Sequence, residues 1–229
     1  MHIGGFQKFS LIDYPGKTSA ILFTTGCNFR CRYCHNPELV IPEQFAQDIP
    51  LTSIYSFLKT RKGKLDAVTI TGGEPTHHND LLEMIQEIKS LGFLIKLDSN
   101  GSRPEVLKSI IDKKLVDYLA MDIKAPLPDY AKIMGWKIPV EILRQSIQLI
   151  MNSGIEYEFR TTIVKAFTSK DDLKKIAKTI QGAKKYFLQR FSPATLIDNN
   201  CNIEKSYSIK ELEELAKELQ DYIIFCGIR

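Results

Sequence analysis

Ser19-Ala20-Ile21-Leu22-Phe23-Thr24-Thr25-Gly26-Cys27-Asn28-Phe29-Arg30-Cys31-Arg32-Tyr33-Cys34 joins a short apolar run to three cysteines within eight residues. The run reads as a β-strand buried on both faces. It does not lead into the G-x-G-x-x-G turn of a dinucleotide-binding sheet. A loop of thiols stands there instead, at the carboxyl end of the first parallel strand, where α/β folds collect their chemistry. Three ligands leave a metal centre open. Structural zinc is closed by four ligands and a simple ferredoxin cluster takes four cysteines, so the C-x3-C-x2-C spacing favours an open iron–sulfur cluster. Zinc completed by His35 and a redox thiol group stay open as lesser readings.

The same pattern of strand then amphipathic segment repeats along the chain. Strands are expected at Ser19 to Thr24, Leu65 to Thr71, Gly92 to Asp98, Leu115 to Asp122, Glu156 to Val164 and Lys184 to Phe191. Helices are expected at Pro42 to Lys62, Asn79 to Leu91, Pro104 to Lys113, Pro139 to Ser153, Ser169 to Ile180 and Ser208 to Leu219. Asn79, Ser169 and Ser208 suit N-caps, and Gly92 and Gly154 suit C-terminal stops. Tyr222 to Ile228 adds a terminal strand whose pairing the sequence leaves open. Six strand–helix units without a Rossmann turn favour an α/β fold of the partial (β/α)6 barrel type. Its polar motifs fall at strand ends: Cys27, then Gly72 to Glu74, Asp98 to Asn100, Asp122 with Lys124, and Arg160 with Thr162.

At 229 residues and 44% hydrophobic, one domain over 1–229 is the economical reading, with the cysteine loop near 27–34 and a short C-terminal extension. No signal-like segment and no run of 18 apolar residues occurs, which points to a soluble cytoplasmic protein without a membrane role. Five cysteines, three of them clustered, fit a reducing compartment. Cys226 reads as a small buried hydrophobe and Cys201 as a loop residue, neither a ligand. The net charge of +4 is modest, and the lysines of Lys170 to Lys178 lie on a helix surface, so nucleic-acid binding is not expected.

The cysteine loop, with an aromatic residue before Cys34, resembles the signature of the radical S-adenosylmethionine (SAM) enzymes. His2 to Gly16, Thr71-Gly72-Gly73-Glu74-Pro75, Asp98-Ser99-Asn100-Gly101 and Met121-Asp122-Ile123-Lys124 extend the likeness to the glycyl-radical-enzyme activases, most of all those of anaerobic ribonucleoside-triphosphate reductase. The resemblance covers most of the chain. It implies that Cys27, Cys31 and Cys34 hold a [4Fe–4S] cluster whose fourth iron is chelated by SAM. It implies that Gly73 and Glu74 meet the SAM methionine moiety, with Thr71 and Gly72 shaping the approach, and that Lys124 meets its carboxylate or nearby oxygen atoms. Asp98 and Asn100 join this cofactor-binding set. Arg160 either grips a carboxylate of SAM or pairs with Glu158 or another acid.

A cation beside Asp98 and Asp122 competes with an Asp–Lys ion pair. Arg30 and Arg32 either moderate the cluster's charge or form surface pairs, and His77 and His78 cap or contact the following helix. The implied reaction is removal of a glycine Cα hydrogen from a glycyl radical enzyme, with flavodoxin or ferredoxin as external electron donor. Ser192 stands where pyruvate formate-lyase activases commonly carry histidine, which weakens placement in that branch. A radical SAM enzyme acting on a small molecule such as a deazaguanine precursor, or a zinc-binding interaction module, are the competing readings.

Overall fold

The computed structural model describes residues 1–135, 138–191 and 207–229. Ser192 and Cys201 lie outside the described residues. The chain divides into two compact units. The first comprises Met1–Asn28, Asn36–Ser99 and Arg103–Leu119, and the second Phe29–His35, Asn100–Ser102 and Ala120–Arg229.

The first unit begins with a strand that the sequence pattern does not announce. β1 (Ile3–Tyr14) runs antiparallel to β2 (Lys17–Thr24) through the Pro15-Gly16 turn, where Gly16 takes φ +70°. β1 escaped notice because it is irregular. Register shifts interrupt its ladder, Gly4 and Gly5 lie within it, and Phe9, Leu11 and Ile12 are exposed rather than alternating. β3 (Ala67–Gly72) and β4 (Leu94–Ser99) then add in parallel, in chain order. Ile21, Leu22, Val68, Ile70, Ile95 and Leu97 are all buried, as the continuous apolar runs demanded.

Helices α1 (Leu51–Lys59), α2 (Leu81–Ser90) and α3 (Pro104–Asp112) belong to this unit. α2 buries Leu81, Met84, Ile85 and Ile88, one stripe at helical spacing. The helix expected over Pro42 to Lys62 is corrected to a 3-10 turn at Pro42–Gln44, an extended stretch and then α1. Pro50 explains the break: it lacks an N–H and disfavours helical backbone at Ile49, whose own N–H goes to the Ile3 carbonyl at 2.8 Å. Asp80, not Asn79, occupies the N-cap of α2, and no side chain caps that end.

β5 (Tyr118–Asp122) straddles the division of the chain. In the second unit β6 (Glu156–Ile163), β7 (Tyr186–Arg190) and β8 (Cys226–Ile228) pair in parallel, and β8 settles the open question of the terminal strand by matching Cys226 to Tyr186. α4 (Tyr130–Met134), a short helix the sequence did not suggest, is followed by α5 (Val140–Met151), α6 (Lys170–Thr179) and α7 (Ile209–Leu219). Ser169 with Asp172 and Ser208 with Glu211 close full capping boxes at the last two, confirming both expected caps. Gly92 (φ +94°) and Gly154 (φ +72°) take the left-handed backbone expected of helix stops. Cys226 is buried, its thiol pushed up to about 12 by that burial, as befits an inert core residue. Among the described residues no helix is long and apolar enough to cross a membrane.

Candidate functional site

In the first unit, the ends of β2 and β3 lock together around the entrance to the cysteine loop. The Gly73 N–H donates to the Thr24 carbonyl and the Glu74 N–H to the Gly26 carbonyl, both at 2.8 Å. Gly26 itself donates to the Leu39 carbonyl at 2.8 Å. A Cβ on Gly73 would lie 2.1 Å from the Gly26 oxygen, and one on Gly72 (φ +114°) 2.4 Å from the Thr24 nitrogen. Only glycine lets these two backbones approach so closely. The Gly-Gly-Glu loop therefore grips the residue immediately before Cys27.

Glu74 is buried, and its Oε1 accepts from the Thr76 N–H (3.1 Å), the Thr76 hydroxyl (2.5 Å) and the Ser99 hydroxyl (2.8 Å). Its carboxylate fastens the turn at Pro75–His77 and ties it to the end of β4. Two residues before Asp98 on β4, Lys96 is buried and pairs with that carboxylate. Lys96 was missed by sequence reasoning, although a lone lysine between Ile95 and Leu97 in an apolar strand is a usable signal. Thr69 lies beside Lys96 in register, and its hydroxyl, like those of Thr24 and Thr25, is buried without a hydrogen-bond partner among the described residues. His78 contacts the start of α2, as expected, through its carbonyl, which accepts from the Leu81 N–H at 3.4 Å, while its ring turns away from the helix. Its Nε2 lies 2.8 Å from the Thr25 carbonyl oxygen, so Nε2 carries the proton, and burial lowers the ring's pKa.

The second unit gathers Cys31, Tyr33, Cys34, Asp122, Lys124, Tyr130 and Arg160. The Arg30 N–H donates to the Met134 carbonyl at 2.9 Å and the Cys34 N–H to the Cys31 carbonyl at 2.9 Å, which fixes the loop against α4. Cys31 is buried with its sulfur 3.3 Å from the Met134 sulfur. Burial pushes the Cys31 thiol up to about 11, against the opposing pull of the Lys124 charge. Asp122 accepts from Arg160 Nε at 2.8 Å on one oxygen and from Lys124 Nζ at 3.2 Å on the other. Burial alone would raise the Asp122 carboxyl, but these two cations hold it well below the usual range. Burial likewise opposes the Lys124 charge, and the Asp122 carboxylate overcomes it, raising the ammonium well above its ordinary value.

The Lys124 N–H donates to the Tyr130 hydroxyl at 3.0 Å, a tyrosine that only the fold brings into view. Of the acids considered for Arg160, Asp122 accepts from its Nε. Glu158 takes both arms of Arg229, at 2.6 and 2.8 Å. Asn100 Oδ1 accepts from the Ser102 N–H at 2.9 Å, shaping the turn after β4. Arg32 lies over the Phe167 ring, 5.1 Å from its centroid. Cys27, Cys31 and Cys34 are all thiols, none in a disulfide. Among the described residues no three His, Cys, Asp or Glu side chains are gathered as a metal site, so the cysteine set stands on its spacing and thiol chemistry.

The profile of the radical SAM superfamily matches residues 21–180. The chain belongs to the radical SAM superfamily. Membership implies a [4Fe–4S] cluster and SAM as cofactors of this radical SAM enzyme. A protein of Methanocaldococcus jannaschii named as a glycyl-radical enzyme activating enzyme is 33% identical over 97% of this chain and 94% of its own. This radical SAM chain thus belongs with the activating enzymes. The pyruvate formate-lyase-activating enzyme of Clostridium pasteurianum is 24% identical over 94% of the chain and 92% of its own.

Among solved structures, Streptococcus suis SuiB bound to S-adenosylmethionine superposes with a TM-score of 0.68 at 16% identity, over 91% of this chain and 51% of SuiB. A domain of pyruvate-formate lyase-activating enzyme from Bacteroides vulgatus gives 0.58 at 16% identity, over 72% of this chain and 99% of that one. These likenesses establish the fold class alone, the α/β partial barrel of radical SAM enzymes.

Proposed function

We propose that this chain activates a glycyl radical enzyme, with anaerobic ribonucleoside-triphosphate reductase as its partner and flavodoxin or ferredoxin as its electron donor. The observation that carries the reading is the 33% identity with a named activating enzyme across 97% of the chain. Cys27, Cys31 and Cys34 hold the cluster in this reading. Their thiols suit it as soft donors, and the glycine cradle supports the fit, because Gly72 and Gly73 let the β3 loop close on Gly26 at the mouth of the cysteine loop. When bound, the cluster and SAM supply one-electron cleavage of the sulfonium and the 5′-deoxyadenosyl radical that takes a glycine Cα hydrogen.

The chain's own residues bind, orient and exclude water. Backbone groups of Gly72 and Gly73, held by Glu74, present the SAM methionine moiety. Lys124 meets its carboxylate, and Asp122, itself held by Arg160, keeps the Lys124 ammonium in place. Asp98, fixed by Lys96, and Asn100 complete the SAM-binding set. A cation at Asp98 and Asp122 forms no part of the proposal, since each carboxylate already faces a cationic side chain.

The test is anaerobic. The reduced protein and SAM are mixed with candidate glycyl radical enzymes from the same cell, while the paramagnetic resonance spectrum and 5′-deoxyadenosine are followed together. An α-carbon radical doublet should appear in the partner and vanish when its acceptor glycine is replaced. Turnover of a deazaguanine precursor with no radical in any protein would move the chain to the small-molecule branch. Loss of only zinc on triple cysteine replacement would remove the cluster assignment.

A further inference from the structure

At the amino-terminal end of β3, far along the strand from Gly72, a cavity of about 280 Å³ is lined by Lys8, Phe9, Phe57, Arg61, Lys64 and Leu65. Among the described residues three cations line it and no carboxylate does. Lys8 Nζ lies 5.5 Å and the Arg61 guanidinium carbon 4.8 Å from the centroid of the same Phe57 ring. Among the described residues no carboxylate pairs with Lys8, Arg61 or Lys64. The ring face attracts the two cations and solvent screens their mutual repulsion, and an anionic group bound beside them would relieve what remains. Beside the cavity β1 exposes Phe9 (53%), Leu11 (67%) and Ile12 (85%), a run of large apolar side chains.

The bland account is that cations follow the end of α1 to complement its dipole. It covers Arg61. It does not cover Lys8, which comes from β1, nor the apolar run beside it. An occupant that satisfies both features carries acidic side chains for the three cations and apolar ones for Phe9, Leu11 and Ile12.

We propose that this groove docks an extended protein segment in which acidic and apolar side chains are interleaved, an anchoring contact on the activated partner. It rests on the function proposed above only for which protein carries the segment. β3 spans about 17 Å from Ala67 to Gly72 at ~3.3 Å per residue, so the anchor holds the partner without touching the reacting groups. The bulges and exposed lysine of β1 oppose edge-to-edge strand addition, so recognition runs through side chains in the groove.

The test uses the full, cluster-loaded chain and a fluorescein-labelled peptide of alternating Glu and Val or Phe, followed by anisotropy at low and high salt. Binding should be salt-sensitive. The Lys8→Glu/Arg61→Glu/Lys64→Glu variant should bind about tenfold more weakly or worse. Leu11→Ser/Ile12→Ser should weaken binding without changing its salt slope. Both variants should keep wild-type cluster content and basal SAM cleavage, which reports that they fold. Equal binding by the triple charge variant overturns the proposal. So does binding of polyglutamate or a DNA duplex as tight as that of the peptide, which would mark a general polyanion surface. Loss of SAM cleavage with the cluster intact would overturn it too, by placing the groove in the chemistry. Because the peptide readout needs no radical, a chain that binds peptide yet activates no partner would remove the function and leave the docking groove standing.

Discussion

Replacing Gly73 by alanine tests how tightly the β3 loop is built onto the cysteine loop. The new Cβ would sit 2.1 Å from the Gly26 carbonyl oxygen and 3.1 Å from that of Leu39, and both obstacles are backbone. Ordinary contact begins near 3.4 Å, so the loops must part by roughly 1 Å. Overpacking of this kind costs about 1–3 kcal/mol. The parting also strains the Gly73-to-Thr24 and Glu74-to-Gly26 hydrogen bonds, each worth roughly 1 kcal/mol. A total near 3 kcal/mol lowers the melting temperature of a chain this size by roughly 6–12 °C.

A second effect falls on cofactor binding. The displaced loop no longer holds the backbone at the mouth of Cys27, so SAM affinity, measured by equilibrium dialysis on the reconstituted protein, should fall about tenfold or more. Gly26→Ala is the internal comparison. Its Cβ meets nothing within 4 Å, and only its φ of +90° resists the change, at a cost of roughly 1–2 kcal/mol. A Gly73→Ala protein that melts with the wild type and binds SAM equally would refute both the geometry and the role built on it.

Lys96→Met removes the cation facing Asp98 in a buried site, and should destabilise by about 3–5 kcal/mol in urea titrations, with Asp98→Asn in the same chain recovering part of the loss. Arg229→Ala leaves Glu158 buried without its bidentate partner; a loss of roughly 3 kcal/mol should shrink when Glu158→Gln is added, and an additive pair would count against the coupling. Asp122 has its carboxyl held below the ordinary value, so its contribution is complete above the unfolded pKa of about 3.9 and is lost as pH falls further. Urea unfolding of Asp122→Asn should accordingly show less acid sensitivity below about pH 4 than the wild type, and parallel curves would contradict the linkage.

The parallel strands and the helices α2, α3, α5, α6 and α7 were legible because period and caps agree there: buried apolar runs for strands, and the Ser169 and Ser208 capping boxes for helices. β1 was not legible, since its bulges and exposed apolar residues erase the alternation that marks a half-buried strand. The long first helix failed at Pro50. For the site, strand ends named the polar positions, but partners across the sheet lay beyond one-dimensional reading. Arg160 could be matched to Asp122 only by knowing that the fold sets that carboxylate beside its Nε. Glu74 looked like a ligand contact on its motif, while the fold adds a bracing task through Thr76 and Ser99. Lys96 was readable as an anomaly, yet its pairing was not.

The β1–β2 hairpin also bears on the order in which the chain assembles. Its two strands meet across a turn of two residues, whereas β2 must wait for more than forty intervening residues before β3 reaches it. Sequence-local pairings form within about 1–10 μs, and long crossovers follow more slowly because loop closure precedes their reward. A ribosome would release this hairpin before β3. It would then offer β2 already straightened, with one edge covered, as the template on which the first parallel partner lands.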